Sequence, residues 1–250
     1  MTAMRKGILQ HIARDTLASL RHAGVHNTLR IIASTVRDSD FDRTYGTDTA
    51  GYQDPRTYAR DDPRAQRATL YVPTRATPFL SFLQRSGAPL TGTFVDFGCG
   101  KGRAMFVAAL YGFQSVTGIE FSPTLCSSAL RNIERFQTHA SETRFEVICG
   151  SAGDYEVRPQ DSTFYFYDPF DDDLIEQCLE NVKASIDERS RQVTVLYHNS
   201  IAAPPAPFRR SDFLFETPLP RFSGNAFYLF SSRPPSARAE PHRTTQGRSS

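Results

Sequence analysis

Two acidic residues at the ends of adjacent apolar runs frame the chemistry of this chain. Asp96 lies near the end of Thr93-Phe94-Val95-Asp96-Phe97, and Glu120 ends the run from Ser115 to Glu120. Between them stands Gly98-Cys99-Gly100-Lys101-Gly102. Glycines at 98, 100 and 102 let a backbone turn sharply and come close to a ligand with no Cβ in the way. Asp96, just ahead of that turn, is placed to accept hydrogen bonds from a cationic ligand group. A pyrophosphate would be repelled there. Glu120 is placed to accept both hydroxyls of a ribose in bidentate fashion. The spacing is GxGxG with an acid two residues ahead, whereas a dinucleotide site reads GxGxxG. The pair therefore points to a positively charged nucleoside and opposes a nicotinamide-dependent oxidoreductase.

The elements that must position these residues follow a regular rhythm. Strand-like runs at Thr93 to Phe97, Ser115 to Glu120, Arg144 to Cys149, Ser162 to Asp168 and Gln192 to His198 alternate with helical stretches. Arg103 to Tyr111 is rich in Ala, Met and Leu. Ser122-Pro123 supplies an N-cap and a proline at the first helical position, followed by Leu125, Ala129 and Ile133 on one face. Leu174, Cys178, Leu179, Val182 and Ile186 form a further stripe. Strict alternation implies parallel strands joined by right-handed crossovers. Phe213 to Phe215 and Ala226 to Phe230 break it, as a hairpin-like return that sets one antiparallel strand into the sheet.

Composition bounds the rest. The chain has 250 residues, 39% hydrophobic and 22% charged, with a formal net charge of +2. That charge does not indicate nucleic-acid binding. No apolar run approaches the roughly 20 residues of a membrane span. Four widely spaced cysteines without a CxxC pair argue against a disulfide framework or a zinc site. They predict reduced thiols in a soluble, cytoplasmic protein. Residues 1–67 read as a polar helical or irregular extension, with helical periodicity at Ile8, Leu9 and Ile12 and at Leu29, Ile32 and Val36. Residues 68–232 read as the α/β domain, and 233–250 as a disordered tail.

From Tyr71 to Phe230 the chain resembles the class I S-adenosylmethionine-dependent methyltransferases. FVDFGCGKGR matches their first motif, and GIEFS matches their ribose-binding strand end. The fit to the seven-stranded histone-lysine branch is loose. The resemblance implies a Rossmann-like α/β sheet of order 3-2-1-4-5-7-6, strand 7 antiparallel, with helices on both faces. It implies S-adenosylmethionine as cofactor, held by Asp96, Gly98, Cys99, Gly100, Gly102 and Glu120, with Phe121 against the adenine. After the third strand many members carry an acid for the adenine amino group. Here Ser151 stands in that place beside Ala152, and Asp154 is the alternative.

The resemblance also sets Asp168 towards the methyl group. Asp168-Pro169-Phe170 is similar to the motif of nitrogen methylation, in which the carboxylate and a backbone carbonyl accept two N–H bonds and aim the lone pair. The ring can stack on the target. The second proline of that motif is absent, and Asp-Pro also stops strands and opens helices, with Asp171, Asp172 and Asp173 as first-turn charges. Both readings stand. His198 is either a general base or a strand-end cap. Asp42 to Thr49 and Tyr71 to Thr74 form either a lid over the cofactor or a polar linker. Arg56, Arg60, Arg64 and Arg67 interleave with Asp54, Asp61 and Asp62, the pattern of a solvated mixed-charge face. The acceptor is a protein or a small molecule.

Overall fold

The computed structural model describes residues 40–51, 53–54, 62–69, 71–199, 203–218 and 226–232. The periodicities at 8–12 and 29–36, Arg56, Arg60 and Asp61, and the tail at 233–250 lie outside the described residues.

Seven strands form one sheet: β1 (Thr93–Phe97), β2 (Ser115–Glu120), β3 (Arg144–Cys149), β4 (Asp161–Tyr167), β5 (Thr194–Asn199), β6 (Phe215–Thr217) and β7 (Ala226–Ser231). Their order is β3-β2-β1-β4-β5-β7-β6. The first five strands pair in parallel, and β7 runs antiparallel to both β5 and β6. This is the architecture the family resemblance implies. The register sets Asp96 beside Gly118 on one side and Tyr165 on the other.

Helices cover both faces because strand residues alternate between them. On one face Phe94, Tyr165, Leu196, Phe227 and Leu229 pack with α1 (Phe41–Tyr45), α2 (Ala76–Ser86), α3 (Arg103–Tyr111) and the end of α4 (Pro123–Phe136). On the other, Val95, Phe97, Phe164, Phe166, Val195 and Tyr197 pack with α5 (Asp172–Glu188) and α6 (Ala206–Arg210). Burying a large apolar side chain is worth about 1.5–3 kcal/mol, so each layer contributes to holding its helices against the sheet. Ser122 caps α4, accepting from the Leu125 N–H, with Pro123 in the first turn. Asp171 caps α5 and accepts from the Leu174 N–H at 3.0 Å.

Several strand ends differ from the sequence expectation. β4 stops at Tyr167 because Asp168 turns to φ +41, outside the extended range. β5 begins at Thr194 rather than Gln192. β6 begins at Phe215, and Leu214 is instead buried in the second layer ahead of the strand. Three helices were not anticipated: the short α1, then α2, whose Phe79, Phe82 and Leu83 are fully buried, and the short α6.

Candidate functional site

The glycine turn is built by the strands on either side of it. Gly98, Gly100 and Gly102 have φ of +81, +56 and +92. The Gly98 and Cys99 N–H groups both donate to Ile119 O, at 2.9 and 3.0 Å, which pins the turn to β2. Glu120 then works from that strand end: Oε2 accepts the Gly100 N–H and Oε1 the Ser122 N–H, each at 2.9 Å. A Cβ on Gly98 would sit 2.7 Å from Pro169 Cβ, and one on Gly100 would collide with the Tyr71 ring. Here glycine is demanded twice, by dihedral angle and by contact.

The two acids are buried, 3% exposed at Asp96 and 5% at Glu120. Among the described residues Asp96 Oδ2 has no hydrogen-bond partner. Burial, and then the charge of Glu120, push the Asp96 carboxyl up to about 8. Burial pushes Glu120 up to about 7, against the N–H groups of Ser122, Gly100 and Phe121 that favour its anion. A buried polar atom without a partner costs free energy that a ligand donor recovers. Each Glu120 oxygen accepts one N–H and keeps a second lone pair for a hydroxyl.

These acids face a cleft at the carboxyl ends of the strands. Ile119, Phe121 and Leu125 make one apolar wall. Gly150, Ser151 and Ala152 follow β3, while Tyr167, Pro169 and Phe170 end β4 and complete the rim. The cover comes from residues N-terminal to the sheet: Arg64, Arg67 to Thr69, and Tyr71 to Thr74. This cover is fastened from behind. The Tyr71 hydroxyl donates to Thr49 O at 2.7 Å, and Lys101 Nζ donates to Ala50 O at 2.9 Å. Arg103 Nε donates to Thr49 Oγ1 at 2.6 Å, and the same guanidinium pairs with Asp42. Asp42 in turn accepts from Thr47, Thr49 and Ala50, which orders the loop after α1. The Arg64 guanidinium lies 5.7 Å from the Phe121 ring centroid.

Of the residues singled out in the sequence, Asp96, Gly98, Cys99, Glu120, Phe121, Ser151, Ala152, Pro169 and Phe170 meet in this cleft. Gly100 and Gly102 shape the turn without lining it. Asp168 is turned aside: its carboxylate accepts the Tyr197 hydroxyl at 2.9 Å, and burial raises it above the usual carboxylate range. His198 does not reach the cleft. Its ring is 0% exposed, stacked between Tyr167 and Phe227 at centroid distances of 4.0 and 4.1 Å. Its Nδ1 lies 3.1 Å from the Tyr165 hydroxyl. A histidine so enclosed is a core residue in this structure, and the general-base reading is corrected accordingly.

The expectation of reduced cysteines is corrected as well. Cys126 in α4 and Cys149 at the end of β3 form a disulfide, with Cα atoms 5.9 Å apart, while Cys99 and Cys178 are free and buried. Two cysteines 23 positions apart gave no spacing signal, because a crossover from helix to strand brings them together. Among the described residues no acid, cysteine and histidine cluster suits a metal ion, and no helix is long and apolar enough to cross a membrane. Arg64, Arg67 and Thr69 were not anticipated in the cleft. Arg64 and Arg67 carried the pattern of an ordinary charged surface, and Thr69 reaches the site through a short polar contact.

No family model matches the chain, and no curated protein matches it. Solved structures do. An RNA methyltransferase from Salinibacter ruber in complex with S-adenosyl-L-homocysteine is 21% identical with a TM-score of 0.46, over 68% of this chain and 98% of that one. The cofactor-bound protein Rv0187 from MTB is 17% identical with a TM-score of 0.46, over 71% and 88%. The glycopeptide N-methyltransferase MtfA is 14% identical with a TM-score of 0.42, over 59% and 60%. Likenesses at this level assign no role to any residue here. The strand order and the antiparallel β7 themselves define the class, a Rossmann-like methyltransferase fold.

Proposed function

We propose that the chain is an S-adenosylmethionine-dependent methyltransferase acting on a nitrogen nucleophile. One observation carries the reading: a buried carboxylate oxygen of Asp96 without a partner, beside a glycine turn and one strand from Glu120. The residues present fit the cofactor. Asp96 offers its unpaired oxygen to the ammonium, Glu120 offers its remaining lone pairs to the ribose hydroxyls, and Phe121, Ile119 and Leu125 give the base an apolar slot. A pyrophosphate would instead face the Asp96 carboxylate.

When bound, the cofactor supplies an electrophilic methyl group on a cationic sulfur. The chain's own contribution is alignment and exclusion of water, which can account for about 7–11 kcal/mol of a displacement barrier. The cover over the cleft, sealed by Tyr71 on the glycine turn, supports that exclusion. Carbonyl oxygens of Asp168 and Pro169 at the end of β4 are acceptors suited to an N–H-bearing nucleophile. His198 takes no part, and the acceptor nitrogen arrives neutral or loses its proton to solvent. On this reading the cofactor-binding unit begins before residue 68, since Arg64 and Arg67 line the cleft.

Calorimetry with S-adenosylhomocysteine and with NAD tests the cofactor, and only the first should bind. Radiolabelled methyl transfer into size-fractionated cell extract tests the acceptor. Label in the small-molecule fraction alone would replace the macromolecular reading with the small-molecule one.

A further inference from the structure

Residues 67–69 run antiparallel to 169–171 at the rim of the cleft. The Thr69 N–H donates to Pro169 O at 3.1 Å, the Asp171 N–H donates to Arg67 O at 3.0 Å, and Ala68 bridges to Phe170. The Thr69 hydroxyl donates to Asp168 O at 2.5 Å. The Arg67 guanidinium grips the Asp171 carboxylate with two bonds, Nε to Oδ2 at 2.8 Å and Nη2 to Oδ1 at 2.9 Å. The end of β4 thus presents two carbonyls, one N–H and one carboxylate, and two residues of the same chain, Arg67 and Thr69, satisfy all four.

We propose that this edge docks an extended basic peptide as methyl acceptor, and that Arg67-Ala68-Thr69 is an internal stand-in displaced by it. The proposal rests on the methyltransferase reading and names its acceptor class. Backbone pairing of this kind is open to any extended peptide, while the side-chain pair selects a basic one. The Arg67–Asp171 pair is readily exchanged, because both side chains are about two-fifths exposed and such surface pairs are worth about 0–1 kcal/mol. Asp172 and Asp173 follow on the first turn of α5, exposed, and extend the complementarity to a second basic residue. The Thr69 hydroxyl occupies Asp168 O, where a side-chain N–H of the acceptor would bond in its place.

A fluorescently labelled peptide with the sequence of residues 62–75 is the probe, titrated against the full chain and read by anisotropy. Wild type keeps its own strap in place and should bind weakly. Full-length Arg67→Glu and, separately, Thr69→Ala should bind tighter by about threefold to fivefold, and Asp171→Arg should abolish the gain. A peptide carrying Arg67→Glu should not bind any of them. Equal affinity for wild type and both strap variants, or binding indifferent to Asp171→Arg, overturns the proposal. Calorimetry with S-adenosylhomocysteine on the same proteins separates the two readings. Cofactor binding without peptide binding sinks the docking edge alone, and its absence sinks the methyltransferase assignment.

Discussion

Asp96 and Glu120 stand at the ends of adjacent parallel strands, and the charge of Glu120 adds to burial in keeping Asp96 protonated up to about pH 8. A ligand ammonium reverses that balance and favours the anion, so binding below pH 8 releases a proton. Affinity for S-adenosylhomocysteine should rise between pH 6 and about 7.5, by at most about tenfold per pH unit for one proton. It should level off as the ligand amine, with an ordinary value of about 7.7–8.0, loses its own charge. Without ligand the trend is opposite. A carboxyl raised by folding contributes stability that is full below its unfolded value and is lost as pH climbs towards about 8. Calorimetry in buffers of different ionisation enthalpy reads the released proton, and Asp96→Asn should bind weakly and lose the proton release that Asp96 supplies, leaving only the titration of Glu120. A flat profile in wild type would contradict this account of the site.

Gly100 is held at φ +56 with the Tyr71 ring where a Cβ would go. Gly100→Ala should destabilise by about 1–3 kcal/mol through backbone strain and overpacking. It should also loosen the cover, making the chain cleave faster around residues 62–74 in limited proteolysis. In a Tyr71→Ala background, which itself loses the hydroxyl bond to Thr49 O, Gly100→Ala should cost less than it does in wild type, because the colliding ring is gone. An equal cost in both backgrounds would mean that the ring is not the obstacle.

The Cys126–Cys149 bond closes a loop of 23 residues, for which chain entropy gives a stabilisation of about 3 kcal/mol. Cys149→Ser should lower the denaturation midpoint by a corresponding amount, and added reductant should lower wild type towards the same value. Reductant should leave Cys149→Ser unmoved. Because the bond ties α4 to the strand end beside Gly150 and Ser151, ligand affinity should fall too.

Asp168 is the one described non-glycine residue with positive φ, at +41. Asp168→Gly relaxes that turn, whereas Asp168→Ala keeps the strain and loses the Tyr197 hydrogen bond. The glycine variant should be more stable than the alanine variant by about 1 kcal/mol. Both should lose turnover, because the carbonyls at the end of β4 are displaced. Thermal melts rank the pair. Alanine equal to glycine would mean that the turn carries no strain.

Much of this was written in the chain as spacing. Asp96, the three glycines and Glu120 sit at strand ends that alternation alone locates, and the cap at Ser122-Pro123 was visible as residue type. The cover was only half legible. Tyr71 to Thr74 announced itself by aromatic and hydroxyl content, but Arg67 to Thr69 reaches the site through backbone bonds and one ion pair, which leave no periodic trace. His198 misled because a histidine at a strand end looks the same whether it faces a ligand or lies between two rings. The difference is made by Phe227, on a strand 29 positions further along that the antiparallel return brings alongside. The disulfide was hidden for the same reason.

Thr74 Oγ1 lies 3.3 Å from the Tyr165 hydroxyl, which reaches His198 in turn, so the cover is anchored to the sheet interior at its C-terminal end. Tyr71 is held as well, by its hydroxyl on Thr49 O and by two backbone bonds with Gln53, and residues 67–69 are held by their ladder on 169–171. The cover is therefore tied to three separate parts of the fold: the loop after α1, the end of β4 and the sheet interior.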